Sequence, residues 1–390
     1  MCLAFAPQVQ TFRSGEALLM NKRILITGGA GFIGSHLTDL LLSNGCSVRI
    51  LDCLSSQVHP GEAAPDYLDP EAELMCGDLR DADAVARSLE GIDVVFHLAA
   101  AVGVGQSMYD IVRYTEVNEV GTAVLLEALA KHPVERLVCA SSMSIYGEGL
   151  ARRSNGETVE PDERPREQLR RGAWELEDAS GEPLAPLPTP ESKRPSLSSV
   201  YALNKYSQER LCLMVGKAYG IPTVALRFFN VYGPRQALSN PYTGVLAIFA
   251  ARLINGRLPL IFEDGRQRRD FVHVQDVARA CALAMETRSA VGGVFNIGSG
   301  QSRTIESIAD DLAKVLGRPG LAPHLTGKYR VGDIRHCFAD IAKSRTALGF
   351  SPEIDFRAGL TELSEWIAGQ VAHDSFDAAT AELEKRGLVA

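Results

Sequence analysis

The feature that most constrains this chain is a glycine-rich turn, Thr27-Gly28-Gly29-Ala30-Gly31-Phe32-Ile33-Gly34, set between a short apolar run and a helical pattern. Gly29-x-Gly31-x-x-Gly34 has the spacing at which glycine permits a tight turn and lets the backbone approach a diphosphate. The diphosphate then rests on the N–H groups that open the next helix. Gly28 supplies a further glycine. Arg23 to Thr27 reads as the strand ahead of the turn. Phe32 to Ser43 reads as the helix behind it, with Ile33, Leu37, Leu40 and Leu41 on one face and Asn44-Gly45 as its stop. Asp52 ends the next strand 18 residues beyond Gly34, where a carboxylate accepts ribose hydroxyls. That placement favours NAD over NADP, whose 2′-phosphate it would repel.

Beyond this unit, short apolar runs alternate with helical patterns, as in a parallel sheet covered by helices on both faces. Val48 to Asp52, Glu73 to Cys76, Val94 to Leu98, Arg136 to Ser141 and Val224 to Phe229 read as the following strands. After Asn230 the pattern is mixed, with short strands at Leu260 to Phe262 and Val294 to Ile297 and helices near Thr304 to Leu316 and Ala358 to Ile367. The expected fold is α/β, a Rossmann-type doubly wound parallel sheet over 22–230 with a smaller mixed α/β C-terminal substrate lobe. That lobe covers 231–375, parts of which return to the Rossmann domain. Residues 1–21 form an N-terminal extension in which Met20 is a candidate start, and 376–390 a C-terminal tail.

A chain of 390 residues, 46% hydrophobic and 23% charged, is long enough for two lobes. Its formal net charge of −8 argues against nucleic-acid binding, so an anionic ligand must meet a local basic pocket. The 8 cysteines form no C-x-x-C pair, which suggests neither a metal site nor a disulfide framework and fits a reducing cytoplasm. No apolar run reaches the ~20 residues of a membrane span.

Glu148 to Pro195 interrupts the rhythm. It holds seven of the 19 prolines, charges of both signs and almost no periodic apolar residues. It reads as an insertion, either a solvated surface excursion or a lid over the active site. Just downstream, Tyr201-Ala202-Leu203-Asn204-Lys205 puts a phenol and an ammonium on one helix face. A phenol titrates near ~10 and needs a cation beside it to act as a base around neutrality, which Lys205 and the nicotinamide charge supply. Ser141-Ser142 ends the fifth strand, at the carboxyl edge where such sheets place chemistry, although a hydroxyl there also serves as a cap or turn. Asp78, in Gly77-Asp78-Leu79, has two readings, an adenine contact or a helix cap.

Together these residues resemble the extended short-chain dehydrogenase/reductases that act on nucleotide sugars. The resemblance runs from about Lys22 to about Trp366. It is carried by Thr27 to Gly34, Asp52, Asp78-Leu79, His97 to Ala100, Asn118, Ser141 to Gly147, the Tyr201/Lys205 pair, Leu226 to Pro234 and Arg269-Asp270-Phe271. It implies that NAD is held by Gly28, Gly31, Phe32, Ile33, Gly34, Asp52, Asp78, Leu79, Leu98, Ala99, Ala100 and Asn118, together with Tyr201 and Lys205. It implies a catalytic set of Ser142, Tyr201 and Lys205, with Tyr201 the base and Lys205 on the nicotinamide ribose. Ser142, Ser144, Asn230, Arg269, Arg330 and Asp333 are the implied substrate contacts, with Asn230 and the two arginines around the diphosphate. The family's 4,6-dehydratases carry an Asp-Glu pair directly after the catalytic hydroxyl. Met143 and Ser144 stand there in this chain, which points to epimerisation at C4. A reductase or dehydrogenase with net redox turnover uses the same triad and is the alternative, whereas a non-catalytic NAD-binding scaffold would not need it.

Within that family, Ser141 to Gly149, Pro188 to Glu191, Gln236 to Val245 and Gly332 to Asp340 are similar to the bacterial dTDP-L-rhamnose 4-epimerases. Cys337 matches a position that borders the sugar pocket of UDP-hexose 4-epimerases, where a small side chain leaves room for N-acetylated sugars. It reads equally as a buried small hydrophobe. The expected partner is a dTDP- or UDP-linked sugar, with no nucleic acid, membrane or metal. A homodimer is implied through Ile111 to Leu129 and Val200 to Tyr219, which carry apolar residues on more than one face. A helix buried within one subunit would look the same.

Overall fold

In the computed structural model, which describes residues 21–238, 240, 242, 244–370 and 374–390, each short apolar run of the N-terminal half is a strand. The extension expected at 1–21, with Met20, lies outside the described residues apart from Asn21, as do Ser239, Pro241 and Thr243 of the 236–245 string. In chain order the strands are β1 (Arg23–Thr27), β2 (Ser47–Asp52), β3 (Glu73–Cys76), β4 (Val94–His97) and β5 (Arg136–Ser142). The insertion adds β6 (Ala151–Arg152), β7 (Thr158–Val159) and β8 (Ala185–Pro186). Then come β9 (Thr223–Phe228), β10 (Asn230–Tyr232), β11 (Leu260–Ile261), β12 (Arg268–His273), β13 (Val294–Ile297), β14 (Ser302–Thr304), β15 (His324–Leu325) and β16 (His336–Cys337).

One seven-stranded sheet has the order β13-β9-β5-β4-β1-β2-β3, with every neighbouring pair parallel. The chain reverses its direction of travel between β1 and β4, where such a sheet leaves a crevice beyond its carboxyl ends. The glycine-rich turn leaves β1 at that crevice. Alternation along β1 divides the core in two. Ile24 and Ile26 pack with Leu37 and Leu41 of helix Phe32–Ser43 and with Val277, Ala280 and Ala284 of helix Val274–Glu286. Leu25 joins the opposite layer, with Leu125 and Leu129 of helix Gly121–Lys131 and Cys212 of helix Val200–Tyr219. Each of these fully buried leucines and isoleucines contributes about 1.5–3 kcal/mol of apolar burial.

The C-terminal lobe is built on β10, β12 and β14, with β16 alongside β12, and its core gathers Tyr232, Phe249, Phe271, Leu312 and Leu360. Two pieces of the C-terminal half return to the first domain. β13 is the outermost strand beside β9, and helix Val274–Glu286 packs on helix Phe32–Ser43. The run Val294 to Ile297 marks a strand, but nothing local says which sheet will take it. The tail is also part of the lobe. After helix Phe376–Lys385, residues 388–390 pair with 329–331, Tyr329 N–H reaching Ala390 O at 2.8 Å and Val331 N–H reaching Leu388 O at 3.0 Å.

The insertion is folded and docked, not a solvated excursion. β7, β6 and β8 form a small sheet over Ala151, Leu176 and Leu184. Arg335, with no exposed surface, fixes it to the lobe. Its backbone N–H lies 2.8 Å from Glu148 Oε1, and its guanidinium binds Glu263 at 2.8 Å, Asp264 at 2.7 Å and Glu175. Buried Arg164 bridges the same group, 2.9 Å from Glu263 and 3.7 Å from Glu148. Among the described residues no helix is long and apolar enough to cross a membrane.

Candidate active site

The glycines act through close packing as much as through turn geometry. Gly28 has φ +73°, and a Cβ there would lie 2.8 Å from the backbone of Ala99. A Cβ on Gly34 would come within 2.6 Å of Gly29 Cα. The turn therefore lies against the loop after β4, which holds Leu98, Ala99 and Ala100. Thr27 ties the two together, its carbonyl accepting from Leu98 N–H at 3.1 Å and its hydroxyl from Ala99 N–H at 3.3 Å. Helix Phe32–Ser43 starts at Gly31 with no side-chain cap and no acidic residue in its first turn. The N–H groups of Phe32 and Ile33 are thus presented at the crevice, where an uncapped helix start suits an anionic diphosphate.

Asp52 stands at the carboxyl end of β2 and accepts from Ala30 N–H at 3.1 Å and Leu54 N–H at 2.9 Å. Both oxygens keep lone pairs for ribose hydroxyls. Tyr67, absent from the sequence-based set, donates to Ala30 O at 3.1 Å and buttresses the turn. The residues present therefore fit NAD.

Two residues expected at the cofactor also have protein partners. Asp78 is not the helix cap, since Asp81 caps helix Ala82–Ser88. Its carboxyl instead pairs with Arg80 at 2.7 Å, whose hydrogen bond holds it below the usual carboxylate range. Asn118 is wholly buried and uses its amide on Ala101, accepting from N–H at 2.8 Å and donating to O at 3.1 Å. It shapes the loop after β4. Leu79 packs against Gly121, where an added Cβ would sit 3.2 Å away.

Of the residues expected to be catalytic, Ser142 and Tyr201 meet at the end of β5. Ser142 caps a single 3-10 turn, accepting from Ser144 N–H at 3.2 Å and from the Ser144 hydroxyl at 2.9 Å. Tyr201 lies in the first turn of helix Val200–Tyr219, which Ser199 caps at Ala202 N–H (3.1 Å). Its backbone N–H is held by Ser107 Oγ at 3.0 Å. Burial pushes the Tyr201 phenol above its ordinary value, and a hydrogen bond with Ser142 pulls it back. Burial pushes Lys205 down. Its Nζ donates to Gln208, which belongs to a buried polar chain with His97, Thr122 and Thr27 that sequence reasoning missed.

On the substrate side, Asn230 Oδ1 and Arg330 Nε are buried without a partner among the described residues. Such atoms call for a ligand. Arg330 lies beside Gly105 of the short helix Val104–Ser107, with Nε 3.8 Å from the position of a Cβ there, and over the Phe262 ring. Arg269 is not a free cation. It donates to the carbonyls of Arg268 and Arg335 at 3.0 Å and to that of Ile334, with Asp333 at 3.7 Å, so it fixes the 333–335 segment. Cys337 has no exposed surface. Its Sγ meets Thr189 of the insertion at 3.9 Å among Ile145, Tyr146 and Phe229, so the space that a small side chain was expected to leave is filled. Burial raises its thiol to about 12.

Comparison with known proteins agrees with this geometry. Residues 24–168 and 180–298 match the model of the NAD dependent epimerase/dehydratase family. A dTDP-L-rhamnose 4-epimerase of Burkholderia thailandensis is 36% identical over 359 residues, covering 91% of this chain and 97% of its own. The UDP-glucose 4-epimerase of Thermotoga maritima, solved with UDP-glucose, is 32% identical with a TM-score of 0.72, over 89% of this chain and 98% of its own. The UDP-glucuronic acid 4-epimerase of Bacillus cereus, solved with UDP-glucuronic acid and NAD, is 30% identical with a TM-score of 0.72, over 89% and 99%. With its glycine-rich turn at the sheet crevice and Ser142, Tyr201 and Lys205 beside it, this chain belongs to the NAD-dependent epimerase/dehydratase family.

Proposed function

We propose that this protein is a nucleotide-sugar 4-epimerase whose substrate is dTDP-L-rhamnose and whose product is dTDP-6-deoxy-L-talose. The observation that carries the reaction type is that neither residue directly after Ser142, at the end of β5, is a carboxylate. Met143 and Ser144 follow Ser142. Two acids close by in sequence or contact are engaged, Glu209 with Arg227 at 2.8 Å and Ser141 at 2.7 Å, and Glu148 with the N–H groups of Arg335 and His336. Elimination of water needs an acid and a base at that place, and oxidation followed by reduction at C4 does not. The choice of sugar rests on the relative from Burkholderia thailandensis and on the strings at Ser141–Gly149 and 332–340. UDP-hexoses are the second reading, favoured by the two structural neighbours that hold UDP-sugars.

Bound NAD supplies the hydride acceptor and donor. Ser142 holds the C4 oxygen, and Tyr201 takes its proton and later returns one. The buried ammonium of Lys205 favours the tyrosinate that this step requires. Asn230 and Arg330 would hold the diphosphate by atoms that lack a partner among the described residues, an anchor about which the sugar would turn to present its other face to the cofactor. Net consumption of external NAD(H) would instead favour a reductase.

A homodimer fits the exposed apolar residues Ile111, Val112, Val120, Leu203 and Met214, since Val112 is 70% and Met214 59% exposed on neighbouring helices. The function is tested by turnover across dTDP-L-rhamnose, UDP-glucose and UDP-N-acetylglucosamine without added cofactor, with Tyr201→Phe as control. The reading predicts fastest conversion of dTDP-L-rhamnose, and loss of at least ~10³-fold in the variant with NAD still bound. Epimerisation of no C4 pair by the wild type overturns it.

A further inference from the structure

The buried chain behind Lys205 has a fixed direction. Thr27, His97, Thr122 and Gln208 have no exposed surface, and Lys205 has 3%. An ammonium only donates, so the Gln208 amide must turn Oε1 to Lys205 Nζ. Its NH2 then faces His97 Nε2 at 2.7 Å and Thr122 Oγ1 at 2.9 Å. The Thr122 proton goes to Asn118 O at 2.5 Å, leaving its oxygen to accept. Burial lowers His97 to about 3, so the ring is neutral and carries one N–H. With Nε2 accepting from Gln208, that N–H is on Nδ1 and donates to Thr27 Oγ1 at 2.8 Å. Thr27 is the last residue of β1, and its hydroxyl also holds Ala99 N–H. His97 Nε2 also lies 2.9 Å from Thr122 Oγ1, a contact that carries no proton in this arrangement, and a flipped amide would set NH2 against an ammonium.

We infer that Gln208 is a positioning residue, one that aims the Lys205 ammonium from a relay anchored on the dinucleotide-binding turn through His97 and Thr27. The inference rests on the proposed role of Lys205 in favouring the Tyr201 anion. The groups facing Lys205 are His97 on β4, Cys139 on β5, and Cys212 and Glu209 on its own helix, with Glu209 already paired to Arg227 on β9, while Tyr201 faces Ser142 on β5 and Tyr114 of helix Ile111–Thr115. A neutral amide at 208 leaves the charge of Lys205 uncancelled. A carboxylate there would cancel it, and the phenol of Tyr201 would titrate at higher pH.

The test is the pH profile of kcat for Gln208→Glu, a change of similar shape, with Gln208→Met as the uncharged companion. Gln208→Glu moves the acid limb upward by about one unit and lowers kcat near neutrality roughly tenfold, with KM for the nucleotide sugar within about twofold. Gln208→Met lowers kcat at unchanged KM and retains bound NAD. A wild-type limb in Gln208→Glu overturns the inference. So does parallel loss of melting temperature and bound NAD in both variants at an unchanged pH profile, which a purely structural role would give. If Tyr201→Phe or Lys205→Met keeps full turnover, the reading of the triad fails instead, and the role of Gln208 falls with it.

Discussion

The central sheet and the insertion are held by opposite physics. Around β1 and β5 the contacts are apolar, and the helices on both faces bury leucine, isoleucine and valine. Between 148 and 195 the apolar core is three residues, and the anchor is a buried ion cluster in which Arg335 and Arg164 face Glu148, Glu263, Asp264 and Glu175. A hydrophobic core announces itself in sequence by its period. A charge cluster assembled from residues as far as 187 positions apart does not, and its members read locally as surface.

The comparison breaks most easily at Arg335. Arg335→Met removes the guanidinium from Glu175, Glu263 and Asp264, with Arg164 still beside Glu263, and we expect a loss of about 3–5 kcal/mol. Proteolysis should cut first between 150 and 187, ahead of the sheet. Cleavage elsewhere, or an unchanged melting temperature, would mean that the insertion is held by other contacts. Leu37→Ala, in the apolar core, should cost about 3 kcal/mol by opening a cavity and should lower the unfolding of the whole sheet without freeing the insertion selectively. Calorimetry and limited proteolysis on the same samples separate the two patterns.

A smaller effect sharpens the contrast through pH. The hydrogen bond with His336, joined by Arg335, holds Glu175 down at about 2. A carboxyl lowered in the folded state adds stability above its unfolded value near ~4.5, and that stability is lost as pH falls toward 2. Burial raises Glu148 to about 6, so its contribution has the opposite sign and is lost as pH rises from 4.5 through 6. The gap in melting temperature between wild type and Glu175→Gln should therefore be full at pH 7 and narrow below pH 4.5. A gap independent of pH would remove Glu175 from the anchor.

The same contrast explains what was legible. β1 and β3 fall where the apolar runs place them, and β2, β4, β5 and β9 within one residue at either end. Helices Phe32–Ser43 and Val200–Tyr219 match their periods, because burial on a sheet imposes them. The glycine turn, Asp52, Ser142, Tyr201 and Lys205 could be singled out because the chemistry expected of each needs a fixed residue type at a fixed spacing. The partners of those residues were not visible. Gln208 meets His97 across 111 positions, and Asn118 turns its amide to Ala101. Arg269 was read as a substrate cation, yet backbone carbonyls of 334 and 335 take its N–H groups, a contact that no local pattern encodes. Cys337 was read either as a pocket residue or as a buried small hydrophobe, and Thr189 of the insertion, which covers it, was likewise out of reach of local pattern.

The central claim is that a hydride leaves C4 and returns to the same sugar. The direct measurement is turnover of dTDP-L-rhamnose deuterated at C4 by the purified protein without added cofactor, read by mass spectrometry and NMR of substrate and product. The account predicts dTDP-6-deoxy-L-talose that keeps its deuterium at C4, with no change in the absorbance of external NAD(H). Washout of the label to solvent, or its appearance in an external nicotinamide pool, would contradict it.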